Sequence, residues 1–162
     1  MRCKLVIIER LSGYESTIYS VYVEEKQMTL LDLFVSESLS SFKSETNDVL
    51  KRLHTIGHKT GARHSFFKHY EGNPGDGVCA LYDEPEKSLR LYCIRYGSEI
   101  VILGGGGEKP PGMKALQESE KLTLENDIMR KLSAEIFRRL KEGEIQYSSD
   151  GFEFEGDLEF DI

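Results

Sequence analysis

The side chains best suited to chemistry lie in one basic stretch, residues 49–70, which contains no acid. It holds five cations and all four histidines of the chain: Lys51, Arg52, Lys59, Arg63, Lys68, His54, His58, His64 and His69. Clustered cations attract phosphate groups, so the stretch is a candidate for contact with nucleic acid. The alternative is an exposed charged face followed by a loop, which needs no ligand.

The histidines also raise the question of a metal site. His54 and His58 are four residues apart, a spacing that places two side chains on one helix face. However, Gly57 and Gly61 are expected to end that helix before His58, and no acidic or cysteine ligand lies nearby in the sequence. We therefore predict neither a metal nor another cofactor.

The acidic residues are concentrated at the other end of the chain. The net charge is −7, and residues 150–162 hold six acids and no base, which leaves −1 for residues 1–149. We predict one α+β domain over residues 1–149. The acidic tail over 150–162 is either an edge strand or disordered.

Residue periodicity predicts the elements that position the basic stretch. Apolar alternation indicates six strands, at 5–9, 17–24, 66–70, 78–82, 89–96 and 99–103. Helical spacing indicates a helix capped by Thr29, one ending near Ile56, a short one at 113–120, and a long one from Thr123 to Gly143. The predicted fold class is α+β, with a small antiparallel sheet of three to four strands in a meander. Helices pack on this sheet, and a β-hairpin and helix are added at the N-terminus.

Cysteine usage and hydropathy exclude several classes of protein. Cys3, Cys79 and Cys93 are odd in number and lack CxxC spacing, which argues against disulfides and zinc and indicates buried or half-buried thiols. The first apolar run, Leu5 to Ile8, is shorter than a signal peptide requires. No run approaches the roughly 18 residues of a membrane span. We expect a soluble, cytoplasmic protein with no membrane contact.

Four consecutive glycines, Gly104 to Gly107, suggest a phosphate-binding loop. The sequence lacks both Gly-Lys-Ser/Thr and GxGxxG at this place, and Pro110-Pro111 interrupts the expected helix start. We interpret the glycines as positions of positive φ or close backbone approach.

Residues 88–111 read Ser-Leu-Arg-Leu-Tyr-Cys-Ile-Arg-Tyr-Gly-Ser-Glu-Ile-Val-Ile-Leu-Gly-Gly-Gly-Gly-Glu-Lys-Pro-Pro. This segment resembles the RelE/HigB superfamily of bacterial toxins, including its Gp49-like branch. In that family a Tyr-Arg-x-x-Tyr strand pairs with an Ile/Val-rich strand that ends in a turn containing Gly and Lys. Residues 66–72 resemble the preceding strand, and residues 48–56 resemble an upstream helix. The resemblance extends over about residues 47–140 and implies a RelE-like domain.

The resemblance implies a ribosome-dependent endoribonuclease of the mRNA interferase type. In such toxins the RNA 2′-OH attacks the adjacent phosphate without a metal, and cations stabilise the developing charge. Arg90, Lys68 and Lys109 match the family's basic positions and are the implied catalytic residues. Residues implied or suggested to bind RNA are Lys51, Arg52, Arg63, His69, Tyr92 and Arg95. The implied partner is an antitoxin of the helix-turn-helix type, which the acidic tail would mimic if it masked the basic stretch.

Strand alternation places Arg90 on the same face as aromatic residues. Arg90, Tyr92, Ile94 and Tyr96 share one face, and an arginine between aromatic rings can hold phosphate and stack a base. Alternatively, the tyrosines belong to the core and Arg90 lies at its rim. The second candidate function is a non-catalytic binding protein on a RelE-like fold that interacts with an antitoxin-like partner. A third is a host protein of another role that binds such a partner.

Overall fold

A computed structural model describes residues 1–69, 71–84, 86–110 and 119–162. The strands are β1 (Arg2–Ile7), β2 (Thr17–Val23), β3 (Met28–Thr29), β4 (Phe67–Lys68), β5 (Val78–Leu81), β6 (Leu89–Tyr96), β7 (Ile100–Glu108), β8 (Ile145–Tyr147), β9 (Phe154–Gly156) and β10 (Glu159–Asp161). The helices are α1 (Leu30–Ser38), α2 (Lys43–Thr55) and α3 (Glu120–Glu142). The chain is therefore α+β, but the predicted sheet is wrong in size and topology.

One large mixed sheet replaces the predicted small meander. Its strands lie in the order β10-β1-β2-β7-β6-β5-β4, and β3 pairs with β2 outside this path. The pairs are antiparallel except β2 with β7, which runs parallel from Thr17 opposite Ile100 to Ser20 opposite Leu103. The meander β5-β6-β7 exists, but the N-terminal hairpin β1-β2 continues its sheet. The hairpin is thus a structural part of the sheet and no addition to it.

Both faces of the sheet are covered. On one face, α3 and the small β8-β9 sheet pack on a cluster that includes Tyr92, Ile94 and Met129. On the other face, side chains of α1 and α2 pack on Leu91 and Cys93. Because both faces are buried, the central strands are apolar at consecutive positions. All four residues of 100–103 have no exposed surface.

Two helix ends, those at Thr29 and Gly143, agree with the sequence signals. Thr29 caps α1 as predicted, since its Oγ1 accepts a hydrogen bond from the Asp32 N–H at 3.0 Å. Gly143 ends α3 with a φ of 80°, also as predicted. The predicted start of α3 is wrong, because Ser119 and not Thr123 provides the cap. The predicted helix at 113–120 lies mostly outside the described residues.

The α-helical part of α2 ends at Thr55, next to the predicted end near Ile56, but the prediction that Gly57 ends the helix is wrong. The helix continues as a π-helical turn, Ile56–Thr60, and ends at Gly61 with a φ of 74°. A Cβ at Gly57 would lie 1.8 Å from the Leu11 carbonyl oxygen, so close packing requires glycine there. Because the turn continues, the rings of His54 and His58 stack with centroids 4.0 Å apart.

The glycine run lies inside a strand, although the sequence predicted that the strand ends at Leu103. Residues 104–107 continue β7, and none of them has a positive φ. A Cβ at Gly106 would lie 1.9 Å from the Arg90 carbonyl oxygen, and one at Gly105 would lie 2.2 Å from Glu125 Oε2. Close approach, the second of the two predicted roles, is therefore the reason for these glycines.

The end of the acidic tail is an edge strand, the first of the two predicted alternatives. In β10, Phe160 pairs with Cys3 of β1 and is buried, while its neighbours Glu159 and Asp161 are exposed. The Arg139 guanidinium lies 4.2 Å from the centre of the Phe160 ring. This cation–π contact attaches the strand to α3.

The burial of the three cysteines predicts their reactivity. Burial raises the pKa of Cys3 to about 11 and that of Cys79 to about 12, and it also raises the pKa of Cys93. Native protein at pH 8 should therefore not react with an aromatic disulfide reagent, whereas protein unfolded in guanidinium should react at all three thiols. A Ser36→Cys variant, which adds an exposed thiol, is the positive control. Rapid labelling of the native wild type would contradict the buried placement.

Candidate functional site

Three cations from separate segments meet at one buried carboxylate. Lys68 Nζ lies 2.7 Å from Asp83 Oδ1, Lys109 Nζ lies 2.5 Å from Oδ2, and Arg90 Nη2 lies 3.7 Å from Oδ1. We call Lys68, Arg90, Lys109, Asp83 and Glu71 the cation cluster. The family resemblance implied that these three cations are catalytic. The structure brings them together.

Strand register explains this convergence. Lys68 of β4 is opposite Ala80 of β5, which is opposite Tyr92 of β6. Arg90 is two residues before Tyr92 and therefore on the same face. Lys109 follows β7, and its N–H donates to the Ser88 carbonyl at 2.7 Å, next to the start of β6. The cluster thus forms where β4, β6 and β7 reach one end of the sheet.

Glu71 adds a second acid to the cluster. Its Oε1 lies 3.8 Å from Arg90 Nη1, and its backbone carbonyl accepts a hydrogen bond from Asn126 Nδ2 of α3 at 2.8 Å. Three cations and two carboxylates give the cluster a formal charge of +1 when all are ionised. The cluster therefore retains one positive charge after its internal ion pairs are formed.

Exposure differs among the members. The side chain of Lys68 is 30% exposed, whereas those of Arg90, Lys109 and Asp83 are 13%, 12% and 5% exposed. Lys68 is therefore the cation that a ligand meets first. Arg90 and Lys109 lie behind it and act at short range in a poorly hydrated environment, where charges interact more strongly than in water.

The two acids respond oppositely to their surroundings. Burial opposes ionisation of Asp83, but the adjacent ammonium groups of Lys109 and Lys68 and the charge of Arg90 outweigh it and lower its pKa. Burial dominates for Glu71, and its pKa is raised although Arg90 and Lys68 oppose the shift. Asp83 is therefore ionised at neutral pH and is the anion that holds the cations together.

Two of the predicted RNA-binding residues lie near the cluster. Arg52 of α2 donates through Nη1 to the Tyr82 carbonyl at 2.6 Å, directly before Asp83. His69 follows Lys68, and its Nε2 lies 2.8 Å from the His64 carbonyl oxygen. These contacts hold the segments on both sides of the cluster.

The other predicted RNA-binding residues lie elsewhere. Tyr92 has no exposed surface, so its ring belongs to the core and offers no face to RNA in this structure. Arg95 is five residues beyond Arg90 along β6, about 16 Å away at the usual strand rise, and its Nε donates to the Ala62 carbonyl. Lys51 and Arg63 are exposed, and the Arg63 guanidinium lies 6.0 Å from the Phe66 ring.

The sequence did not reveal three residues at this site: Asp83, Glu71 and Tyr82. The run Asp83-Glu-Pro-Glu has the composition of a turn, where acids beside proline usually occur. The signal in the sequence that could have revealed the two acids is their position. Asp83 and Glu71 each follow a strand that ends beside a predicted catalytic cation. Tyr82, 48% exposed, has Lys68 Nζ 5.7 Å from its ring centre.

The tail does not reach the cluster. β10 and β4 are at opposite ends of the strand order, so residues 159–161 lie across the whole sheet from Lys68. The structure therefore gives no support to masking of Lys68 by this strand.

The cation cluster is the main candidate site among the described residues. Among the described residues, no group of three or more His, Cys, Asp and Glu side chains is placed to hold a metal ion. No helix in the described parts of the chain is long and apolar enough to cross a membrane. No protein-family model, curated protein or solved structure matches the chain. The resemblance to RelE/HigB toxins therefore stays a prediction.

Replacing Asp83 tests whether this carboxylate organises the cluster. Asp83→Asn removes the shared anion and leaves three cations close together, so the free energy of unfolding at pH 7 should fall by about 3 kcal/mol. Asp127→Asn, which breaks an exposed pair with Lys131, should cost less than about 0.5 kcal/mol. Urea unfolding of the three proteins provides the measurement.

The stability difference between wild type and Asp83→Asn has a defined pH dependence. Because the folded-state pKa of Asp83 is below its ordinary value of 3.8, its stabilising contribution is complete above that pH. The difference in unfolding free energy between wild type and Asp83→Asn should therefore stay constant from pH 7 to about pH 5 and disappear only below 3.8. A difference already lost between pH 5 and pH 6 would mean a raised pKa and would contradict the assignment.

Proposed function

We propose that this protein is the toxin component of a RelE-type toxin–antitoxin pair. It is an endoribonuclease that cleaves ribosome-bound mRNA in the cytoplasm of a bacterium, and a helix-turn-helix antitoxin neutralises it. The observation that supports the proposal is the convergence of Lys68, Arg90 and Lys109 within 3.7 Å of one carboxylate. The proposal depends on this site and takes no support from the sheet topology, since function is determined by the site more than by the fold.

The proposed reaction needs no metal and no redox partner. The RNA 2′-oxygen attacks the adjacent phosphorus, and the P–O5′ bond breaks to leave a 2′,3′-cyclic phosphate. The 2′-OH proton passes to a base, and the leaving 5′-oxygen takes up a proton. Of the two acids in the cluster, Glu71 is the better acceptor for the first proton, because burial raises its pKa, whereas the adjacent cations lower the pKa of Asp83 and make it a weak base.

The cations have distinct parts in this reaction. Lys68, the most exposed, binds the incoming phosphate. Arg90 can hold two phosphate oxygens with its planar guanidinium, and Lys109 adds a point charge. Their fixed positions favour the transition state, in which the phosphate oxygens carry additional negative charge.

The competing function is a non-catalytic binding protein that interacts with an antitoxin-like protein. The observation in its favour is that Asp83 already occupies the centre of the three cations, with Arg90 and Lys109 mostly buried. A cluster neutralised in this way can serve as a structural ion network and leave only Lys68 for contact with a partner.

Induced expression in a bacterial host distinguishes the two functions. Wild-type protein should arrest growth and produce new mRNA 5′ ends, which are mapped by sequencing. Lys68→Ala and Arg90→Ala should reduce cleavage by about 10²- to 10³-fold, as loss of one transition-state donor does. Lys131→Ala, an exposed lysine on α3, should cleave like the wild type.

Thermal unfolding of each purified variant shows whether a loss of cleavage is due to a loss of folding. Arg90 is mostly buried, so its replacement by alanine can destabilise the protein, whereas the more exposed Lys68 tolerates substitution better. Lys68→Arg, which keeps the charge, should retain part of the cleavage. Normal growth and unchanged RNA ends with abundant folded wild type would reject the ribonuclease and favour the binding protein.

A further inference from the structure

Tyr82 is an exposed aromatic residue in contact with the cation cluster. The residue is 48% exposed, and Lys68 Nζ lies 5.7 Å from the ring centre while also pairing with Asp83 at 2.7 Å. A single lysine therefore contacts both the ring and the centre of the cluster. A phosphate bound by Lys68 would lie beside the ring. A base stacked on the ring would belong to a nucleotide next to that phosphate.

The backbone of Tyr82 is fixed on both sides. Its N–H donates to the Phe66 carbonyl at 2.8 Å, and its carbonyl accepts from Arg52 Nη1 at 2.6 Å. Arg52 is itself held by Asp48, with Nε 3.3 Å from Oδ2. A ring on a fixed backbone loses little conformational freedom on binding, so more of the stacking energy contributes to affinity.

The exposed ring of Tyr82 stands beside a cluster whose formal charge is positive. An aromatic ring beside cations is the arrangement by which proteins bind single-stranded nucleic acids, with the cation on a phosphate and the ring on a base. In a duplex the base faces are already stacked and unavailable to such a ring. The charge of the cluster and the open ring therefore fit one ligand class.

We propose that Tyr82 is a base-stacking residue that binds a nucleobase of single-stranded RNA next to the phosphate held by Lys68. This inference rests on the proposed function, because it takes RNA as the ligand. It adds a second point of contact and assigns Tyr82 a role in substrate binding. It also explains why the ring remains exposed although its backbone is tightly held.

Binding to a short single-stranded 2′-O-methyl RNA tests the inference, since this oligomer lacks the attacking hydroxyl and cannot be cleaved. Fluorescence anisotropy gives its affinity for wild type and for each variant. Tyr82→Ala should weaken binding on the order of tenfold, because loss of one base–aromatic stack has about that effect. Tyr82→Phe, which keeps the ring, should bind like the wild type.

Two controls separate stacking from other effects. Tyr14→Ala removes a tyrosine that is 98% exposed. Tyr14 lies just before β2, which pairs with the start of β7, whereas the cluster lies at the end of β7. This variant should leave the affinity unchanged. An abasic oligomer with the same phosphates has no bases to stack. Wild type and Tyr82→Ala should bind this oligomer equally well.

The outcomes distinguish this inference from the function on which it rests. If Lys68→Ala weakens binding but Tyr82→Ala does not, the stacking role is wrong and the RNA site stands. If Tyr82→Ala weakens binding of the abasic oligomer as much as that of the RNA, the ring does not stack on a base. If folded wild type binds neither oligomer, the stacking role fails, and the proposed function is decided separately by growth and RNA ends in the expression experiment.

Discussion

The parallel pairing of β2 with β7 is the contact on which the rest of the structure depends. It joins two antiparallel groups of strands, β10-β1-β2 and β7-β6-β5-β4, into one sheet. The buried Ser20 hydroxyl supports this seam, since it donates to the Leu103 carbonyl at 2.9 Å and accepts from the Leu31 N–H at 3.2 Å. With β7 fixed in the middle of the sheet, its far end positions Lys109 in the cation cluster.

Local features of the fold could be predicted from the sequence, but the pairing of distant strands could not. The Thr29 cap and the Gly143 end depend on residues close in the chain, and both signals were correct. The β2-β7 pair depends on surfaces separated by about half the chain, and alternation does not reveal which strand a given strand meets. The glycine run hid the end of β7, because glycines have no side chains to form an apolar pattern.

The site was predictable to a similar degree. Resemblance to a toxin family selected Lys68, Arg90 and Lys109, and the structure brings these three residues together. It could not select Asp83, because the sequence around it has the composition of an exposed turn. Burying cations is costly unless an anion accompanies them, so three partly buried cations imply a nearby acid. Which acid it is depends on the register of β4, β5 and β6, which only the structure supplies.

The seam between β2 and β7 also has a consequence for how the chain acquires its structure. Thr17 pairs with Ile100, so β2 cannot complete its hydrogen bonds until more than half the chain has left the ribosome. Until then Ile18, which has no exposed surface in the folded protein, lacks its partner Val101 of β7. Contacts of such long sequence separation slow folding and prolong the exposure of apolar strands. Nascent chains of this protein therefore pass through a period in which association with other unfolded chains competes with closure of the sheet.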